Sequence, residues 1–317
     1  MNNQFSGEDL VESCLNKVFE KNSIKHLRCR KDWSISSQEI VFDIKGKNIT
    51  ITNAHAEQSE IRFNFVKNLL AKIIYDYNLD LDCQIIVATH DTAQFGEKYT
   101  RLCFSASLDS NHIQIPDPHI FYHMSNMNGH LANDTPFETK EDKISFNGSD
   151  TGMLYDDLLN QRIKFCYKAY GNPKVSAKIC NFVSFRKEML DNLGVPMETI
   201  QGTYIPISQQ LGSKYILNID GNAASWDRTP WAMSSNCYLI HLKSDLCNLV
   251  NWYHPFIEKN KILPIYSENE ILSFKVEYNA ETKQKQKDFA SLILDPGVQF
   301  EYFKRLLIRY NEIYNEN

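Results

Sequence analysis

The chain has 317 residues, 43% of them apolar and 23% charged, with a net charge of −5. That length and apolar content suffice for two domains of ordinary size, and the mild acidity argues against binding to random nucleic acid, which runs on Lys and Arg. No apolar run approaches the ~18 residues a membrane-spanning helix needs. The polar opening, MNNQFSGEDLVESCLNKVFEKN, lacks the basic-then-apolar pattern of a signal peptide, so a cytoplasmic chain is expected. None of the eight cysteines forms a CxxC pair, which favours buried, reduced thiols over a zinc ribbon.

In chain order, QEIVFDIKGKNITITNA reads as two strands joined at Lys45–Asn48. Ile61, Phe65, Leu69, Ile73 and Tyr77 recur every fourth residue and predict a helix with one apolar face. CQIIVATHD predicts a short buried strand that ends in an acid, Asp91. Ahead of it, Asp80-Leu81-Asp82 reads as a solvated turn rather than a metal clamp. NHIQIPDPHIFYH is an apolar run broken by Pro116 and Pro118. His119 and His123 within it share helical spacing, but no third ligand accompanies them, and the spacing reads as chance.

The polar stretch NGHLANDTPFETKEDK reads as a linker. Beyond it, KISFNGSDTG predicts a strand and loop, QRIKFCYKA a strand, KYILNID a strand and AASWDRTPWAMSS a helix. CYLIHL follows as a strand, LCNLVNWYHPFI as a helix and ILPIYS as a strand. Such alternation points to βαβ units on a parallel sheet. In FEYFKRLLIRYNEIY, the residues Phe300, Phe303, Leu307, Tyr310 and Tyr314 mark a terminal amphipathic helix. The expected organisation is α/β: an N-terminal domain over 1–135, a second α/β domain over 136–290, and a helix over 291–317 that packs back on the first.

The Asp220-Gly221-Asn222 turn lies where a parallel strand meets a helix, the usual place for ligands in open α/β sheets. A helix starting near Ala223–Ser225 would offer free N–H groups to an anion. Ser225 adds a hydroxyl and Arg228 a forked, permanent cation. Gly221, Ala223 and Ala224 are small enough for a ligand to come close. The bland alternative is an ordinary turn, with Ser225 capping a helix and Arg228 on the surface. Trp226 and the Trp252-Tyr253 pair read as core residues first.

GNAASWDRTPWAMSSNCYLI, followed by WYHPFIEKNKILPI, resembles the conserved segment of glycosyltransferase family 90, which includes protein O-glucosyltransferases, fungal capsule xylosyltransferases and bacterial lipopolysaccharide sugar transferases. KISFNGSDTG resembles that family's RGS-type loop, and IIVATHD resembles the segment that supplies its catalytic acid. The sequence departs from the pattern at Asn147 and Asp227, where members carry Arg. The resemblance implies a GT-B-like fold, two Rossmann-like domains facing a cleft, with the N-terminal domain on the acceptor side and the C-terminal one binding a nucleotide sugar. It also implies an inverting reaction with no metal or other cofactor, the UDP-sugar being a substrate.

In that reading Asp91 takes a proton from an acceptor hydroxyl. Gly148, Ser149, Thr151, Arg162, Gly221, Asn222, Ser225 and Arg228 hold the donor and meet the charge of the leaving diphosphate. His90 either orients the acceptor or lies on the surface. The expected partners are a nucleotide-sugar donor and a glycan or glycolipid acceptor of lipopolysaccharide or capsule type, with no nucleic acid. Peripheral contact with the inner membrane face, through a basic surface or the terminal helix, stays open. The two departures motivate the alternative, a catalytically degenerate nucleotide-sugar- or partner-binding module.

Overall fold

The computed structural model describes residues 5–20, 39–53, 60–89, 100–108, 110–224, 228–244 and 249–316. In chain order, the first elements are α1 (Gly7–Glu20), β1 (Glu39–Gly46), β2 (Asn48–Asn53), α2 (Glu60–Asp76), β3 (Leu81–Ala88), β4 (Leu102–Cys103), β5 (Ala106–Ser107), β6 (Ile113–Gln114) and α3 (Pro118–Leu131). Next come β7 (Glu141–Ser149), α4 (Gln161–Lys168), β8 (Val175–Asn181), α5 (Lys187–Asn192), α6 (Met197–Ile200), α7 (Ile207–Gln210), β9 (Ser213–Asn218), α8 (Arg228–Ser234) and β10 (Tyr238–Leu242). The chain closes with β11 (Leu249–Val250), α9 (His254–Asn260), β12 (Ile265–Tyr266), α10 (Glu268–Leu272), α11 (Ala280–Ile293) and α12 (Pro296–Glu316). Among the described residues, no helix is long and apolar enough to cross a membrane.

The chain divides into two compact units. One comprises Tyr122–Asn248 and Ile257–Leu294; the other comprises Phe5–Phe121, Leu249–Phe256 and Asp295–Asn317.

The first unit is an α/β layer structure on a five-stranded sheet of order β12-β10-β9-β7-β8. Every neighbouring pair in it is parallel. Numbered along the chain, its strands lie in the order 2-1-3-4-5, a doubly wound arrangement with a switch point between β7 and β9. Ile144, Phe146, Ile163, Phe165, Ile179, Leu217 and Ile240 build its core. Each such side chain contributes roughly 1.5–3 kcal/mol by leaving water.

Two sequence expectations fail here. QRIKFCYKA is a helix, not a strand: Asn160 caps α4 by accepting the Ile163 N–H at 2.9 Å. The polar stretch read as a linker is built into the unit. Lys140 is buried there, paired with Asp134 and donating to the Leu211 carbonyl.

The second unit holds a mixed sheet of order β2-β1-β3-β4-β6. β1 pairs antiparallel with both β2 and β3, whereas β3, β4 and β6 run parallel. The β1–β2 hairpin turns at Gly46 with φ of 61°, a conformation glycine adopts without strain. α12 closes this unit: Tyr302 donates to the Gln114 carbonyl and Tyr310 to the Gln84 carbonyl, both from buried positions. Trp252 and Tyr253 are core residues, as read. LCNLVNWYHPFI is not one helix, since β11 precedes α9 within it. α2 forms where the periodicity puts it but buries a rotated face, Arg62, Val66, Leu69, Leu70, Ile73 and Ile74, leaving Ile61 and Tyr77 exposed.

Candidate functional site

In a doubly wound sheet, ligands bind beyond the carboxyl ends of the strands at the switch point. Here that place lies past Ser149 of β7 and Asn218 of β9. Arg162, in the first turn of α4, spans it. Its Nε and Nη2 donate to the Ile219 carbonyl at 3.1 and 2.9 Å. Its Nη1 donates to the Ser149 carbonyl at 3.1 Å and the Thr151 hydroxyl at 2.9 Å. The guanidinium is thus tied to both turns that flank the switch point.

A second guanidinium arrives from the other helix. Arg228 is the first described residue of α8, and its Nη2 donates to the Asn147 carbonyl at 2.9 Å. Phe146 lies beneath both cations, with its ring centroid 5.6 Å from Arg162 Cζ and 4.8 Å from Arg228 Cζ. The ring's negative face holds both guanidiniums by a cation–π attraction. Both also act on Cys180, whose thiol is pushed up by burial and drawn the other way by Arg228 and then Arg162.

The glycines make room for these cations. A Cβ on Gly221 would lie 2.8 Å from both Arg162 Nη2 and Thr151 Oγ1, and one on Gly148 would lie 2.9 Å from Phe146 Cζ. From the sequence, the small size of Gly221 is expected to let a ligand come close. In the structure the close neighbours are Arg162, Thr151 and Phe146. Asn222 joins the two turns, its Oδ1 accepting the Gly152 N–H at 3.0 Å.

The fold therefore brings Gly148, Ser149, Thr151, Arg162, Gly221, Asn222 and Arg228 to one edge of one sheet. Ser225 and Asp91 lie outside the described residues, as do His90, Trp226 and Asp227. Ala223 and Ala224 lie in non-helical backbone, and the described part of α8 runs from Arg228.

No protein-family model matches the sequence, and no curated protein matches it.

Several polar residues of this edge carry roles that the linear sequence does not display. Asp150 is fully buried and accepts the backbone N–H groups of Val183, Ser184 and Phe185 at 2.7–3.1 Å. The Asn147 amide is equally committed, donating to the Thr203 carbonyl and accepting from the Ile205 N–H, each at 3.1 Å. One strand further, Asn218 Nδ2 lies 3.1 Å from His241 Nδ1, and His241 Nε2 lies 3.7 Å from Asp220 Oδ2. The available signal was positional: each is a polar residue at the end of an apolar strand.

In the second unit, Asp117 caps α3 through the His119 N–H at 2.9 Å and also binds the His119 imidazole at 2.5 Å. His119 thus has a local partner in Asp117. Among the described residues, no group of three or more His, Cys, Asp or Glu is placed to hold a metal ion. Asp82 lies within β3 rather than in a turn, and Asp80 and Asp82 are both exposed.

Proposed function

We propose that the chain is an inverting, metal-independent glycosyltransferase of GT-B type that moves a sugar from a UDP-linked donor to a hydroxyl of a lipopolysaccharide or capsule glycan. The observation that carries this reading is the pair of guanidiniums, Arg162 and Arg228, fixed at the switch-point edge of a parallel sheet.

In this mechanism the acceptor oxygen attacks the anomeric carbon while the Asp91 carboxylate takes its proton. The bond from that carbon to the diphosphate oxygen breaks, UDP leaves with the electron pair, and configuration inverts. Charge grows on the diphosphate as the bond lengthens. Arg162 and Arg228 are held in place beforehand, so they stabilise that charge without rearranging. The departure at Asn147 fits this scheme, because Arg228 brings a guanidinium to the carbonyl of that same residue.

A second reading has its own support. The Asn147 side chain is used up in fixing residues 203–205, so position 147 supplies no cation of its own. A nucleotide-sugar-binding module without transfer would tolerate that loss. UDP release from a panel of UDP-sugars, measured in EDTA, separates the two. The transferase reading expects release without metal, slowed about 100-fold or more in Asp91→Asn. UDP binding without release supports the module, and release unchanged in Asp91→Asn contradicts the assignment of the base.

A further inference from the structure

Two loops at the carboxyl end of β7 are held by buried polar side chains. Asn147 bonds the Thr203 carbonyl and the Ile205 N–H, clamping the backbone on either side of Tyr204. Asp150 gathers the N–H groups of residues 183–185, beginning with Val183 at 2.8 Å. Burying an amide or a carboxylate is costly unless its hydrogen bonds are made. Here those bonds go to loop backbone, which fixes both loops in place.

Each fixed loop presents one large apolar side chain to solvent, Tyr204 at 70% and Val183 at 63% exposure, beside the exposed Thr203 and Ser184. A lone exposed apolar side chain is ordinary. This pair differs because both sit on loops pinned from one strand end, beside an anion cradle. Asn147 links the Tyr204 loop to that cradle directly, since its carbonyl accepts from Arg228 while its side chain clamps the Tyr204 backbone. A ligand that suits this arrangement carries an anionic end and a flat apolar end.

We propose that Tyr204, with Val183 beside the same strand end, is the platform on which a nucleobase stacks. This inference rests on the nucleotide reading of the site. Stacking tolerates any base, so the platform adds affinity rather than choosing among bases. Loops fixed before the ligand arrives also lower the ordering cost of binding.

The test is calorimetric titration of UDP and of inorganic pyrophosphate into the wild-type chain, Tyr204→Ala and Tyr204→Phe. The exposed position of Tyr204 lets the variants fold, which an unchanged Tm verifies. The expected result is that Tyr204→Ala weakens UDP about tenfold or more, leaves pyrophosphate unchanged, and is rescued by Tyr204→Phe. Unchanged UDP affinity in Tyr204→Ala overturns the platform and leaves the diphosphate site standing, and equal weakening of both ligands also overturns it. A wild-type chain that binds neither ligand overturns both the platform and the nucleotide reading.

Discussion

Both units bury matched ion pairs, Lys140 with Asp134 in the parallel sheet's unit among them, but the switch-point edge of the parallel sheet adds guanidiniums bonded to neutral acceptors. In the mixed sheet's unit, buried cations are matched to buried anions: Arg62 pairs with Asp117 at 3.1 Å, and Arg101 pairs with Glu39. In the parallel sheet's unit, Arg162 is oriented by neutral acceptors, the carbonyls of Ile219 and Ser149 and the Thr151 hydroxyl. Arg228 is oriented by the carbonyl of Asn147. These carbonyls and the hydroxyl steer the guanidiniums without adding a charge of their own. Strand direction contributes to the contrast. Parallel strands bring all their carboxyl ends to one edge, so the polar residues that follow them collect there. The antiparallel pairing of β1 with β2 and β3 spreads strand ends over both edges.

The comparison can be broken most forcefully in the mixed unit. Asp117→Ala leaves Arg62 buried without its carboxylate and should cost about 3–5 kcal/mol in urea unfolding, with UDP affinity unchanged. A loss below about 1 kcal/mol would show that this pair does not hold the unit together. Arg162→Ala should act the other way round, weakening UDP binding about 100-fold in calorimetry with a smaller loss of stability. Gly221→Ala forces a methyl to within 2.8 Å of Arg162 Nη2. It should cost roughly 1–3 kcal/mol of stability and weaken UDP binding as the guanidinium is displaced.

The smallest effect is one of pH. Burial pushes the Lys283 ammonium down to about 7, while an unfolded chain keeps its lysines protonated to about pH 10.4. Between those values the unfolded state holds a proton that the folded state has released. Stability from this group therefore rises with pH upward from 7. Buried thiols act in the opposite sense at higher pH. Cys83 and Cys166 are pushed up to about 12, so only the unfolded chain loses their protons from about pH 8.5. Wild type should gain stability relative to Lys283→Met as pH rises from 7 to about 8.5 in denaturant titrations. A difference that does not change with pH would contradict this account of Lys283.

The parallel sheet was largely legible in the sequence because KISFNG, KYILNID and CYLIHL are apolar runs too short for helices and bounded by turn residues. α4 reads as a strand in the sequence because Ile163 and Phe165 alternate, and short apolar runs do not separate the two periods. Asn160 just ahead of it was the available helix-start signal. The buried face of α2 departs from the four-residue series for a geometric reason. Steps of four residues advance about 40° past a full turn, so a series from Ile61 to Tyr77 winds off the buried face at both ends. The polar stretch reads as a linker because Asp134 and Lys140 look solvated one at a time and are buried only as a pair. At the site, the glycines and arginines were visible as residue types. The use of Gly221 to admit Arg162, and of Asn147 and Asp150 to pin distant loops, depends on contacts the linear sequence does not display.

The central claim is that Arg162 and Arg228 form a diphosphate site at the switch point of the parallel sheet. The most direct test is calorimetric titration of UDP, in EDTA, into the wild-type chain and Arg228→Ala. The account predicts saturable one-to-one binding that weakens at least about tenfold in Arg228→Ala. The same UDP affinity in both proteins, or none in the wild type, would contradict it.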